Sequence, residues 1–345
     1  MCIWRNAILP PDDIFESDAL KNRFRSQSAS TKGFLIALTG TVLWSTTAIL
    51  IRYLNDAFEM PPLVLAFWRD TLVAVTLFLV FLILNRKLFK VEKKQIIFLL
   101  VFGFVLSLYN AIWTISVKLN GAAVSTVLVY SSSATTALLE RWLFGEKIDR
   151  IKSIAIVLSI LGIVFVSGAY DPNAWNINFW GIIIGLLSGI LFSIYSLMGR
   201  ETARREINSW STLFYTFLFA SLFLFGYDMI SSGTPLSDAG GRLLWLGDSI
   251  LGWGILIILA VIPTIGGYGF YTLSMRYLPA TVSNLIAATE PSMTTAEAYL
   301  FLGEKLTIPQ ILGSLMIIAG VILIRLTERI TNRINSKRKI IFKID

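Results

Sequence analysis

The sequence predicts an all-α polytopic membrane protein: ten transmembrane helices in two inverted five-helix repeats, with the N- and C-termini cytoplasmic. Three observations carry this expectation. Of 345 residues, 55% are hydrophobic and only 15% charged, against about 25% charged in ordinary soluble domains, and mean hydropathy is +0.70. The basic residues fall almost entirely in alternate gaps between apolar runs. The second half of the chain repeats the first.

A bilayer core is about 30 Å thick and a spanning helix needs about 20 apolar residues. Ten stretches qualify: 33–53, 62–85, 96–117, 121–143, 151–169, 178–198, 210–230, 251–273, 280–301 and 309–326. Ile96–Val117 and Ile207–Tyr227 are free of charge throughout. Apolar and polar residues do not alternate as barrel strands require, so the spans are helices. Residues 1–32 lack the apolar core of a signal peptide and read as a cytoplasmic tail. Residues 327–345 form a second, basic tail.

Charge sets the orientation. Of 30 Lys and Arg, Arg52, Arg69 and Arg141 fall within spans and belong to neither side, while Lys152 and Arg325, at the cytoplasmic ends of their spans, belong with the cytoplasmic segments. With the N-terminus inside, the cytoplasmic segments hold 24 and the outer loops only Lys118, Arg242 and Lys305. The positive-inside rule places both termini in the cytoplasm. The net charge of +8 is then a topology signal, and no nucleic-acid motif accompanies it. The chain has no His and one Cys, Cys2. Histidine-ligated zinc, histidine triads and intrachain disulfides are excluded, and no metal or cofactor is expected.

The repeat is visible in Trp113–Ser125 (WTISVKLNGAAVS) against Tyr271–Ser283 (YTLSMRYLPATVS), with five of thirteen positions identical. The same offset of 158 residues carries Thr136 onto Thr294, Gly145-Glu146-Lys147 onto Gly303-Glu304-Lys305, and Gly162 onto Gly320. Nearer the start, an offset of 148 carries Gly33 onto Gly181, Ser45 onto Ser193 and Arg52 onto Arg200. The chain therefore divides into units 33–170 and 178–326. Five helices is an odd number, so two such units must face opposite ways. Inverted repeats suit alternating access, because exchanging the conformations of the two halves exchanges the open side. A channel or facilitator, or an integral-membrane enzyme, is the alternative. No Walker A loop is present, and no His or Cys cluster.

Ten helices as five plus five, Gly145-Glu146 and Gly303-Glu304 closing helices four and nine, Trp44-Ser45 in helix one, Arg69 in helix two and Glu290-Pro291 in helix nine together resemble the drug/metabolite transporter superfamily, in its EamA group. The resemblance covers about residues 33–326. It implies a secondary transporter driven by protons or exchange, often an exporter of amino acids or other small metabolites. An amino acid-like or amphipathic cationic substrate, a multi-pass plasma-membrane location, and a monomer or homodimer are the corresponding expectations. The first repeat departs from the pattern, with Ser132-Ser133 where the second has Glu290-Pro291.

Ionisable groups within a bilayer are costly, about 2.5–3.5 kcal/mol at a helix centre. Glu290 sits near mid-membrane, and Ser283, Glu290, Thr294 and Glu297 share one helical face. The repeat maps that face onto Ser125, Ser132, Thr136 and Leu139. Pro291 frees the carbonyl of Ala287, so Glu290 reads either as an ion- or substrate-coupling carboxyl or as a hydrogen-bonded structural residue beside a kink. Arg69 suits a substrate carboxylate, or an ion pair within the bundle. Its neighbour Asp70 points about 100° away and need not be that partner. Tyr109, Trp113 and Tyr271, with Tyr268, suit either substrate stacking or helix packing. Asn110 and Asn284 suit bonds across helices. Arg52, Glu140 and Arg141 read as structural anchors at span ends, and Gly162, Gly185, Gly189 and Gly320 as close-packing positions.

Overall fold

The computed structural model describes residues 29–145, 148–172, 179–231, 243–302 and 307–323. Most of the N-terminal tail, the C-terminal tail, Glu146-Lys147, Gly303-Glu304-Lys305 and Arg242 lie outside the described residues. So do the side chains of Arg52 and Lys118, although their backbone is helical.

The described segments are almost entirely helical, joined by short turns. Helix α1 covers 29–45 and α2 covers Thr47–Phe58, separated by a turn at Thr46. Helix α3 is Pro62–Leu84, begun by Pro62 at a position where a missing N–H costs nothing. A 3₁₀ turn, Arg86–Phe89, leads to the helical stretch α4, Lys93–Tyr130. Helices α5 (Ser132–Phe144), α6 (Arg150–Val166), α7 (Phe179–Arg204) and α8 (Ser209–Ser231) follow. Then come α9 (Ile250–Leu259), a π-helical segment Ala260–Tyr268, α10 (Gly269–Ser274), α11 (Ala280–Ala287), α12 (Glu290–Leu302) and α13 (Ile308–Leu323).

Among the described residues six helices are long and apolar enough to cross a membrane: Ala29–Ile51, Pro62–Leu84, Lys93–Ser116, Trp180–Arg204, Ser209–Ile230 and Ile250–Ser274. Ile308–Leu323 is shorter. The expected spans 121–143 and 280–301 are each interrupted. The first breaks at Ser131 and the second at Ala288-Thr289, so neither is one continuous rod. Under the 158-residue offset these breaks fall at matching positions.

The stretch α4 cannot be straight. Ser116 and Ser125 would stand about 13.5 Å apart along a straight helix at 1.5 Å per residue, yet their hydroxyls are 2.9 Å apart. The chain therefore folds back between them, where the sequence places the turn between spans three and four. The repeat-related pair, Ser274 and Ser283, makes the same contact at 3.0 Å across the turn from α10 to α11.

The π segment has a local cause. Pro263 has no N–H for the carbonyl of Leu259; the Thr264 hydroxyl takes that place at 2.7 Å. The wider turn follows. Helices also meet where glycine removes a side chain. A Cβ on Gly162 would lie 2.6 Å from the Gly313 carbonyl, and one on Gly320 would lie 2.9 Å from that of Ala155, so α6 and α13 touch backbone to backbone. Gly189 lets α7 approach the Leu128 carbonyl in the same way.

At the centre, α4 packs on α7 and α8, α3 on α8, and α5 on α7 and α11. Interior hydroxyls bond back to their own helices, as Thr41 does to Ala37 (2.9 Å) and Ser196 to Phe192 (2.8 Å), which lets them sit in an apolar interior. Outward positions are apolar too: Trp142, Trp180, Ile83 and Ile230 are all exposed. An exterior of this kind suits hydrocarbon rather than water.

Candidate functional site

Six aromatic rings from four spans meet at the middle of the bundle. Trp44, at the end of α1, lies 4.4 Å from Tyr268 and 5.6 Å from Tyr271, centroid to centroid. Phe192 of α7 lies between Trp44 (6.0 Å), Tyr109 (5.2 Å) and Tyr271 (5.9 Å). Tyr195 stands edge-on to Tyr268 at 5.7 Å. Gly267 makes room for this: a Cβ there would sit 3.0 Å from that of Trp44. The Tyr271 hydroxyl is fixed by Ser196 at 2.7 Å.

Polar groups converge on the rings from two sides. On one side, Arg69 and Asp70 of α3 are both buried. The Arg69 Nε donates to Asp70 Oδ1 at 3.2 Å, and Asn110 Nδ2 of α4 donates to Asp70 Oδ2 at 2.9 Å. The adjacent carboxylate is therefore the partner of Arg69, although neighbouring helical positions diverge; the long arginine stem turns back to reach it. No other acceptor hydrogen-bonds Arg69 among the described residues, so its two terminal nitrogens stay available. Tyr109 and Tyr268 lie within electrostatic range of the guanidinium.

On the other side, the Tyr130 hydroxyl donates to Glu290. Tyr130 is the last residue before the break in the first broken span, and Glu290 is the first residue after the break in the second. Pro291 sits in the first turn of α12, where it starts a helix rather than kinking one. Tyr109 lies within electrostatic range of Glu290 as well as of Arg69. A cationic group and a carboxyl thus flank one packed aromatic cluster. With the rings parted, this arrangement suits the two ends of a small zwitterion, the rings covering an apolar or cationic portion between them.

The expected face of Ser283, Glu290, Thr294 and Glu297 is divided by the helix break. Ser283 belongs to α11 and hydrogen-bonds Ser274. Thr294 and Glu297 belong to α12 and both engage Ser45: the Thr294 hydroxyl donates to its carbonyl at 3.0 Å, and its hydroxyl donates to Glu297 at 2.6 Å. Ser132 lies in the joint between α5 and α11, 3.4 Å from Asn284, whose amide donates to Thr136 at 2.9 Å. Of the expected candidates, Arg69, Glu290, Tyr109 and Tyr271 meet at the cluster. Thr294 is beside it through Ser45, Trp113 is half-buried at the edge of the aromatic core, and Ser283 and Ser132 are elsewhere.

Sequence reasoning missed Tyr130, Phe192 and Tyr195. Each is an aromatic residue in an apolar span whose polar neighbours are serines, common inside membrane helices, rather than a charge. It also missed the role of Glu140 as a joint. This carboxylate is buried and bonds to Arg200 of α7, while Arg141 beside it is exposed.

A protein-family model described as the EamA-like transporter family matches the chain twice, over residues 31–168 and 179–326. A probable amino-acid metabolite efflux pump of Salmonella typhimurium is 27% identical over 305 residues, covering 84% of this chain and 94% of its own. A protein of the same description from Escherichia coli is 26% identical over 305 residues. An uncharacterized transporter of Archaeoglobus fulgidus is 26% identical over 208 residues, 60% of this chain and 68% of its own. A crystal structure at 17% identity superposes with a TM-score of 0.69, covering 87% of this chain and 98% of that one; it speaks to the fold alone.

Proposed function

The chain belongs to the EamA-like transporter family of multi-pass membrane proteins, and from that premise we propose that it is a secondary active transporter. It exports a small amino acid-like metabolite from the cell across the plasma membrane by alternating access, coupled to protons or to exchange. The reading takes ten spans as two inverted units, 33–170 and 178–326, with both termini cytoplasmic. The 24-to-3 distribution of positive charge and the matching Ser116–Ser125 and Ser274–Ser283 contacts support it.

One observation carries the reading: the two helix breaks meet at Tyr130 and Glu290, on the same aromatic cluster that Arg69 flanks. Broken spans at mid-depth, with a charged group at the break, are how transporters bind ions and substrates inside a bilayer. In this mechanism the free terminal nitrogens of Arg69 take the substrate carboxylate, while Asp70 and Asn110 fix the direction of the guanidinium. The aromatic cluster takes the side chain. Glu290 exchanges a proton as the cluster opens first to one side and then to the other, with Tyr130 following its state. The efflux-pump description of the Salmonella typhimurium relative supports amino acid-like substrates and the outward direction.

The test is reconstitution into liposomes under an imposed proton gradient, with labelled amino acids and cationic drugs as probes. Saturable, gradient-dependent movement with counterflow is expected. Flux that rises without saturation and shows no counterflow overturns the carrier reading in favour of a channel.

A further inference from the structure

Helix α11 begins at Pro279-Ala280 without a cap of its own: Pro279 offers no side-chain acceptor. The first backbone N–H groups of a helix need partners, and here one carboxylate from 140 residues earlier supplies them. Glu140 Oε1 accepts from the Ala280 N–H at 2.8 Å, and Oε2 from the Thr281 N–H at 3.0 Å and from the Thr281 hydroxyl. Oε1 also pairs with the Arg200 guanidinium of α7. Only 1% of Glu140 is exposed. The Arg200 guanidinium in turn lies 4.9 Å from the centre of the Phe144 ring, which Arg204 also covers at 4.9 Å. One side chain of the first half of the chain thus holds a helix start and a cation of the second half. Below it, Thr136 and Asn284 continue the same joint.

The repeat does not reproduce this arrangement. The 158-residue offset carries Glu140 onto Ala298 and Thr281 onto Ala123. Only the cation has a counterpart, since Arg200 corresponds to Arg52 under the offset of 148. The matching position on the other side therefore has neither the carboxylate nor the hydroxyl.

We propose that Glu140, Arg200 and the N-terminus of α11 form a latch that holds the cytoplasmic side of the path closed and must break once in every transport cycle. This inference rests on the alternating-access reading above. A carboxylate that satisfies a helix start and a guanidinium together is stable only while α5, α7 and α11 keep this arrangement, because separating them leaves charged and N–H groups without partners. The latch biases the resting protein towards the outward-open state, and the opposite closure has no matching carboxylate or hydroxyl at these positions.

The experiment uses the full chain with Cys2→Ser and one added cysteine, either Thr136→Cys within the joint or Thr294→Cys on the outer side of the cluster. An impermeant thiol reagent is applied to inside-out vesicles for the first and to intact cells for the second. Glu140→Gln is expected to speed labelling at position 136 by about tenfold, equivalent to about 1.4 kcal/mol, and to slow labelling at 294. Arg200→Gln, which leaves the helix cap in place, should move both rates in the same directions by less. It keeps the test decisive if Glu140→Gln protein does not reach the membrane. Unchanged labelling at 136 in folded variants overturns the latch, as does faster labelling at both positions together. The parent protein separates the two ideas. Adding a saturating mixture of amino acids to one side should move the two rates in opposite directions. If it does not, the alternating-access reading fails; if it does while the variants have no effect, the latch alone fails.

Discussion

Tyr130 and Glu290 hydrogen-bond across the two interrupted spans, one residue closing the helix before the first break and the other opening the helix after the second. They are not repeat-related: the offset carries Tyr130 onto Ala288 and Ser132 onto Glu290. The centre of an otherwise duplicated fold is therefore asymmetric, with one carboxyl at the breaks rather than two.

On the proposed mechanism, Glu290 at the breaks is the carboxyl expected to couple transport to proton movement. Glu290→Gln keeps the size of the side chain but cannot release a proton. We expect a folded, membrane-inserted protein that loses proton-driven accumulation and keeps substrate exchange, since exchange needs no net proton transfer. Paired liposome assays with and without a pH gradient check this, and wild-type accumulation would remove Glu290 from the coupling role. Tyr130→Phe removes a hydrogen bond to a charged partner, worth about 1.5–3 kcal/mol. It should slow gradient-driven transport by about tenfold or more and lower the melting temperature by an amount in keeping with the loss of that one bond.

Asp70 holds the Arg69 Nε, and no other hydrogen bond engages the guanidinium among the described residues. A lysine cannot offer two parallel donors. Arg69→Lys is therefore expected to raise the apparent KM for carboxylate-bearing substrates by about tenfold, or about 1.4 kcal/mol. Amines that lack the carboxylate should be unaffected. Equal loss for both classes would mark Arg69 as structural.

Topology can be tested through the repeated Gly-Glu-Lys. In a Cys2→Ser background, an impermeant thiol reagent on intact cells should label Lys305→Cys and spare Lys147→Cys. Equal labelling of the two would exclude the inverted arrangement.

The α6–α13 crossing gives a stability prediction. A Cβ at Gly162 meets the Gly313 carbonyl at 2.6 Å and one at Gly313 meets the Gly162 carbonyl at 2.5 Å. Backbone atoms on both sides leave nothing flexible to yield. Gly162→Ala should cost about 1–3 kcal/mol of packing strain, read as a lower melting temperature of the detergent-purified protein. An unchanged melting temperature would mean that the helices separate there at little cost.

Some of the site was legible residue by residue. Glu290 and Arg69 stood out because a charge within an apolar span is expensive wherever it ends up, and Tyr109 and Tyr271 stood out beside other polar positions. Asn110 and Asn284 do bond across helices, to Asp70 and Thr136. Ser283 was misleading because helical periodicity was extended through residues 288–289, where the helix stops. Pro291 announced a disturbance there but not its place, since proline is tolerated in a helix's first turn as well as at a kink.

The sequence by itself determined the membrane class, the candidate spans and the internal repeat, because these depend on composition, run length and offset, which are properties of the chain read in order. Tertiary structure decided which polar groups meet. Tyr130 and Glu290 are 160 residues apart, and Glu140 reaches Thr281 over 141. The first bond forms because two helices stop at the breaks, and the second because the start of α11 meets the side of α5. A buried carboxylate must find donors, but the chain order does not say which of the available N–H, hydroxyl or guanidinium groups will be within reach. That choice follows from how α5, α7, α11 and α12 pack around the two breaks.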